Sequence, residues 1–202
     1  MSATIRLATE SDAEAIQRIY APFVLHTAVS FETEPPSVDE MRSRILKICA
    51  RLPWLVCEWN DHQGNTVIGY AYASLHRERA AYGWSVDVTV YIHEELRRHG
   101  VGKALYVSLF QVLRLQGFYN AYAGIALPNP GSVGLHEAMG FKPVGVYRAV
   151  GYKLGRWHDV GWWQFALRDH STAPAPPADI GSVAASAEWD AAVGSGLALL
   201  RV

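Results

Sequence analysis

The chain has 202 residues, half of them hydrophobic, with 18 Lys and Arg against 19 Asp and Glu for a net charge of -1. That length suits one domain with a sizeable core, and 18% charged residues exclude a disordered chain. A near-neutral balance gives no footing for nucleic-acid binding, no apolar run reaches membrane-spanning length, and the start Met-Ser-Ala-Thr-Ile-Arg lacks a signal core, so a cytoplasmic location is expected.

Ile5 and Leu7 suggest a first strand, and Ser11-Asp-Ala-Glu14 reads as a capping box opening a helix whose buried face is Ala13, Ile16, Ile19 and Tyr20. Pro22 is expected to end that helix. Phe31 to Pro36 reads as a loop; Ser37-Val-Asp-Glu40 is a second capping box, with Met41, Ile45, Ile48 and Leu52 as the stripe of a second helix. Trp54 to Trp59 and Val67 to Leu75 form a predicted hairpin turning over Asn60 to Asn65, where Gly69 marks a bulge or a close backbone approach. Neither Cys49 nor Cys57 has zinc-site spacing; both read as buried free thiols, and no metal is expected.

After a loop over His76 to Gly83 comes the stretch that organises the chain. Val86, Val88, Val90 and Ile92 alternate with Ser85, Asp87, Thr89 and Tyr91, the period of a strand. Arg97-x-x-Gly100-x-Gly102 follows, and Leu105, Leu109 and Leu113 then fall in one helical row, with Gly117 as the stop near Gln116. Glycines between strand and helix let main-chain N–H groups approach an anion, and the helix dipole adds positive potential. Arg97, Arg98, His99 and Lys103 add charge, so the turn suits a phosphorylated ligand.

Asn120 to Ala126 is the next strand, parallel to Ser85–Ile92 because a helix lies between them. Pro128-Asn-Pro-Gly131 opens a short helix ending near Gly140, and Pro143–Tyr152 with His158–Leu167 closes the fold as a hairpin through Gly155-Arg156. Residues 1–169 form the domain; from residue 170 to 202 the Ala, Pro and Ser content reads as a flexible tail, with a short helix at most after Ser182.

The Arg97 turn resembles the Arg/Gln-x-x-Gly-x-Gly/Ala signature of the GNAT acetyltransferases, and Asn129-Pro-Gly-Ser-Val-Gly-Leu-His136-Glu-Ala-Met-Gly-Phe141 resembles that superfamily's Asn-x-x-Ser…Leu-His-Glu-x-x-Gly-Phe element. Within it, residues 3 to 168 are similar to the phosphinothricin N-acetyltransferases, through Val29-Ser-Phe-Glu-Thr-Glu-Pro35, Tyr82-Gly-Trp84, Thr89-Val-Tyr91, Gly124-Ile-Ala-Leu-Pro-Asn129 and Trp157-His-Asp-Val-Gly161. The resemblance implies an α/β GNAT fold: a mixed, mostly antiparallel sheet whose central parallel pair splays around acetyl-CoA, with helices on both faces. It implies a homodimer, acetyl-CoA as co-substrate, and transfer to the α-amino group of phosphinothricin, methionine sulfoximine or a similar amino acid by direct attack in a ternary complex.

An amine nucleophile must be neutral, so such a site needs a proton acceptor. Asp87 is the candidate, standing where the resemblance puts a Glu; the side chain is one methylene shorter, which raises the prospect of a bridging water. A structural carboxylate bonding a loop is the plainer reading. His136 falls on the family's His, as a proton shuttle or an orienting group, or as a surface histidine. The resemblance implies that the splayed central strand offers a backbone N–H to the oxyanion, by position that of Val90. With Tyr91 and Ile92 it would hold the pantetheine arm, while Arg97, Arg98, His99, Gly100, Val101, Gly102 and Lys103 take the pyrophosphate. Asn129 and Ser132 are matched to cofactor contacts, Asn129 serving equally as a helix cap. Arg77, Arg79 and Tyr82, with Phe31, match the region that binds an anionic amino acid; two Arg forks suit such a ligand. Tyr106 and Tyr91 are candidates to protonate the leaving thiolate. An acetyltransferase for a polyamine or a protein N-terminus, and a non-catalytic acyl-CoA sensor, are the competing readings.

Overall fold

The computed structural model describes residues 2–62 and 64–201. Seven strands build one sheet in the order β1-β2-β3-β4-β5-β7-β6. They are β1 (Ser2–Leu7), β2 (Trp54–Asp61), β3 (Gly64–Leu75), β4 (Ser85–Ile92), β5 (Asn120–Leu127), β6 (Lys142–Lys153) and β7 (Arg156–Ala166). Each neighbouring pair is antiparallel except β4 with β5. Helices α1 (Ala13–His26) and α2 (Val38–Cys49) cover one face; α3 (Val101–Gln116) covers the other, with α4 (Pro130–Ala138) beside it. This is the mixed sheet with one parallel pair that the sequence implied.

Alternation along the central strands separates two cores. Val86 and Val88 of β4, with Ala71 and Ala73 of β3, bury against Leu105, Leu109 and Leu113 of α3. Tyr70 and Tyr91 turn the other way, toward Ile16, Tyr20 and Met41 of α1 and α2. Asp87 and Thr89 therefore face the α1–α2 side.

Ser37 caps α2 as read, accepting from the Glu40 N–H at 3.2 Å while Glu40 accepts from the Ser37 N–H at 2.7 Å. The first box is displaced by two residues. Asp12 accepts from the Thr9 N–H at 2.7 Å and is forked by Arg6 at 2.7 and 2.8 Å, while Glu14 pairs with Arg18 instead. A 3-10 turn (Glu10–Asp12) results before α1. Pro22 does not end α1, which runs on to His26: Val24 beyond it is buried, and Thr27 Oγ1 donates to the Phe23 carbonyl. The hairpin turn is tighter than expected, because β2 and β3 stay paired to Asp61 and Gly64; Gln63 lies outside the described residues. Gly69 meets both expectations. The register shifts between Cys57 and Glu58, and a Cβ on Gly69 would sit 3.1 Å from the Tyr91 carbonyl and from Val101.

The segment after residue 169 is no loose appendage in this structure. Trp84 Nε1 donates to the Ala175 carbonyl at 2.8 Å, and Gln116 exchanges hydrogen bonds with Ala178. Helices α5 (Ile180–Ala184) and α6 (Trp189–Gly194) bury Ile180, Val183, Ala192 and Val193. Ser108 Oγ of α3 donates to the Val193 carbonyl at 2.6 Å, and Arg201 N–H reaches the His99 carbonyl at 2.9 Å. Small residues permit the approach: a Cβ on Gly196 would overlap the Ala104 backbone. Truncation after Asp169 should therefore cost about 2–3 kcal/mol of stability, from uncovered apolar side chains offset by recovered chain entropy. In a thermal melt that is a fall of roughly 5–10 °C; an unchanged midpoint would mean that the segment does not dock.

Candidate active site

Strands β4 and β5 stay in register for three pairs, Ser85↔Asn120, Val86↔Ala121 and Asp87↔Tyr122, and then diverge. On its other edge β4 continues pairing with β3 as far as Gly69↔Ile92. His93 N–H bonds the Ile68 carbonyl at 2.9 Å, which fixes the alternation of that ladder. The N–H groups of Val88, Val90 and Ile92 consequently point away from β3, into the gap that β5 leaves. An extended amide-bearing chain has a strand edge to lie on there.

At the open end of this gap the chain turns into α3. Gly100 takes φ +84° and Arg98 φ +69°, and the first-turn N–H groups of Val101, Gly102 and Lys103 have no intrahelical acceptor. Gly102 is the tight position: a Cβ would sit 2.9 Å from Ile92 and 3.2 Å from Leu135. Gly100 meets a second demand besides the one read from the sequence. A Cβ there would overlap the Leu199 carbonyl of the C-terminal segment, so its lack of a side chain serves the left-handed turn and that packing. Arg97 lies over the Phe23 ring at 5.5 Å and pairs loosely with Glu94 at 3.4 Å.

Opposite, Asn129 caps α4, its Oδ1 accepting from the Ser132 N–H at 3.1 Å. His136 is buried, not a surface histidine, and both ring nitrogens are engaged. Nδ1 lies 2.8 Å from the Ser132 carbonyl and so carries the hydrogen; Nε2 lies 2.9 Å from the Tyr106 hydroxyl and accepts it. Burial holds the imidazole below its ordinary pKa, and burial pushes the Tyr106 phenol far up. Phe141 packs on both rings. His136 thus ties α4 to α3 and is not placed beside Asp87.

Asp87 sits where the strands part, on the α1–α2 face. Burial lifts its carboxyl above the usual carboxylate value, offset in part by the hydrogen bond with His76. His76, which the sequence reading passed over, has Nδ1 2.6 Å from Asp87 Oδ1. Its ring stacks on Tyr122 at 4.4 Å, with Tyr82 and Trp162 edge-on at 5.9 and 6.1 Å. Gly124 makes room for Trp162, whose ring lies 3.2–3.5 Å from where a Cβ would be. Arg77 reaches over Trp162 at 5.8 Å. Arg79 is exposed, and neither arginine pairs with Glu78 among the described residues. The described contacts of Phe31 are with Gly151 and His158 of the β6–β7 hairpin, away from the Asp87 cluster. Both cysteines are free; burial pushes Cys49 to about 11 and Cys57 to about 12, so neither supplies a thiolate. Among the described residues no cluster of His, Cys, Asp and Glu is arranged to hold a metal ion, and no helix is long and apolar enough to cross a membrane.

Residues 5–162 match the acetyltransferase (GNAT) domain. The chain belongs to the GNAT family. It is 42% identical over 173 residues to a phosphinothricin N-acetyltransferase of Streptomyces viridochromogenes, covering 86% of this chain and 90% of that protein. An L-methionine sulfoximine/L-methionine sulfone acetyltransferase of Salmonella typhimurium is 33% identical over 176 residues, covering 85% and 99%. The crystal structure of a GNAT superfamily phosphinothricin acetyltransferase from Sinorhizobium meliloti, in complex with acetyl-CoA, superposes with a TM-score of 0.80 at 38% identity, covering 87% of this chain and 94% of that one.

Because both His136 nitrogens are engaged, His136→Gln should act on stability before chemistry. The Nδ1–H bond to the Ser132 carbonyl is lost and its acceptor left buried, at about 1–3 kcal/mol. The thermal midpoint should drop while the pH dependence of the residual rate keeps its shape; a changed pH profile in a folded variant would return His136 to the proton path.

Proposed function

We propose that this GNAT enzyme acetylates the α-amino group of phosphinothricin, methionine sulfoximine or a similar amino acid, with acetyl-CoA as donor. The observation that carries the reading is the half-buried Asp87 at the parting of β4 and β5, beside the arginine-bearing loop. The family and the named relatives support N-acetyl transfer, and the two relatives named for their substrates support the amino-acid class.

The residues fit acetyl-CoA. The N–H groups of Val101, Gly102 and Lys103, with Arg97, Arg98, His99 and Gly100 around them, are assigned to the pyrophosphate; the open edge of β4 from Val90 through Tyr91 to Ile92 is assigned to the pantetheine arm. Acetyl-CoA supplies an activated acyl carbon. Val90 N–H stands on the gap side of β4 and is assigned to the carbonyl oxygen as charge develops on it. Asn129 and Ser132 border the arm from α4, positioned by His136. Arg77 and Arg79 are assigned to the substrate's anionic groups, with Tyr82 as a wall; Phe31 enters this role only from the hairpin side. Asp87 supports loss of the ammonium proton. With no thiolate available, acyl transfer runs directly between donor and amine.

Arginines near the acceptor disfavour a polyamine. An amino acid has a carboxylate for Arg77 or Arg79 to fork, and a second anionic group takes the other. The exposed apolar side chains of the last hairpin, among them Val144, Val150, Tyr152 and Trp157, support a homodimer built on β6 and β7. A cytoplasmic location fits acetyl-CoA supply, and a role in resistance to a toxic amino-acid analogue follows from the substrate class.

A thiol-release screen of amino-acid analogues with acetyl-CoA tests the reading. Turnover should favour phosphinothricin and methionine sulfoximine over polyamines, and preferred turnover of a polyamine would sink it. Arg79→Ala should raise KM for the amino acid about 10- to 100-fold, the worth of one charge-assisted hydrogen bond, and leave KM for acetyl-CoA near its original value. Equal small effects on both would make Arg79 a surface charge.

A further inference from the structure

Asp87 is not alone at the closed end of the groove. His76 Nδ1 lies 2.6 Å from Asp87 Oδ1, and a carboxylate there accepts, so Nδ1 carries the hydrogen and the lone pair of the neutral ring falls on Nε2. The ring is held from three sides: flat against Tyr122 of β5, with Trp162 of β7 and Tyr82 of the 3-10 turn Ala80–Tyr82, just before β4, at its edges. The charged groups facing it are Asp87 of β4 and Arg77, whose guanidinium donates to the His76 carbonyl at 2.7 Å while lying over Trp162. Among the described residues Nε2 has no hydrogen-bond partner, nor is it a buried unpaired atom. A histidine kept for structure looks different in this protein: His136 engages both nitrogens, and His158 gives Nε2 to the Lys153 carbonyl.

We propose that His76 is the proton acceptor of the reaction: Nε2 meets the substrate ammonium, and Asp87 acts through Nδ1–H as the positioning residue that fixes the tautomer and stabilises the imidazolium. This rests on the acetyl-transfer reading of the same groove. The imidazole restores reach. Asp is one methylene shorter than the Glu that the family resemblance places at this position, and the ring spans more than that difference.

The proton balance closes. The ammonium gives one proton to Nε2, and the amine lone pair then forms the C–N bond to the acetyl carbon, placing negative charge on the carbonyl oxygen. Collapse breaks the C–S bond, the thiolate leaves with the electron pair, and the nitrogen sheds its second proton, which ends on sulfur. The proton on His76 passes to solvent through the open groove, and the neutral ring is regenerated.

Two variants and one spectrum test this. His76→Asn keeps a donor near the place of Nδ1 but has nothing at Nε2, so a role limited to holding Asp87 predicts a near-wild-type rate. The acceptor role predicts that His76→Asn and His76→Gln both lose about 10²–10⁴ in kcat, with KM for acetyl-CoA unchanged. The loss should shrink as pH rises, because more amine is then already neutral. Adding Asp87→Glu to His76→Gln should recover at least about tenfold, since the longer carboxylate reaches the amine by itself. Nitrogen-15 spectra of the ligand-free protein should show the His76 hydrogen on Nδ1, a signature lost in Asp87→Ala. Variants within about threefold of wild type across pH would overturn the proposal, as would a hydrogen found on Nε2. Should the wild-type protein release no thiol with any amine while keeping the Nδ1 signature, the acetyl-transfer reading and the acceptor role fail together. The dyad itself would then stand as structure.

Discussion

Strands β4 and β5 hold register only from Ser85 to Asp87 on one side and Asn120 to Tyr122 on the other, and most of what the groove offers depends on that short pairing. While the pair holds, main-chain groups satisfy one another. Once it parts, the N–H groups of Val88, Val90 and Ile92 lose their neighbour, and a sheet tolerates this only where something else occupies the gap. Behind the gap the packing is tight. Leu135 of α4 and Ile92 of β4 pack over Gly102 of α3, and His136 clasps α4 to α3 through Tyr106. The opening is thus a property of the core, set before any ligand arrives.

Electrostatics then divides the gap. The α3 end carries backbone N–H groups and basic side chains, and the closed end carries a half-buried carboxylate with its imidazole. Burial raises the Asp87 carboxyl, and the His76 hydrogen bond restrains that rise. A lone carboxylate in this place would drift toward the protonated form and lose its use as an acceptor. Set against His76, the pair keeps an acceptor at the tip of an aromatic-walled ring, where desolvation strengthens any contact with a cation.

Much of this was legible in the sequence, and the reasons differ by element. The β4 alternation, the leucine row of α3 and the stop at Gly117 were readable because the packing follows the local period. The capping box at Ser37 held because, among the described residues, no other side chain bonds Glu40. At Thr9 the competition came from Arg6, a strand residue whose fork on Asp12 no local pattern reveals. Pro22 misled because the helix is held from outside, by Val24 in the core. The segment from residue 170 misled through composition: Ala, Pro and Ser read as flexible, yet Gly196 there allows backbone contact with α3 at Ala104 and Ser108.

His76 was the costliest omission, and a signal for it existed. Ser74 pairs with Asp87 across the β3–β4 hairpin. Side chains two residues apart share a face, so position 76 is the diagonal neighbour of position 87 on the groove side. Reading residues by motif finds Asp87 and stops; extending the hairpin register by two residues finds its partner. The same register explains why the partner is an aromatic-stacked imidazole. Tyr122 pairs with Asp87 across the parallel ladder, and the His76 side chain, reaching Asp87 from just beyond β3, stacks on that ring. A long flexible side chain would have to give up rotamer freedom to lie there, whereas a planar ring stacks on arrival. The geometry of three strands thereby selects a residue type that no single stretch of the chain specifies.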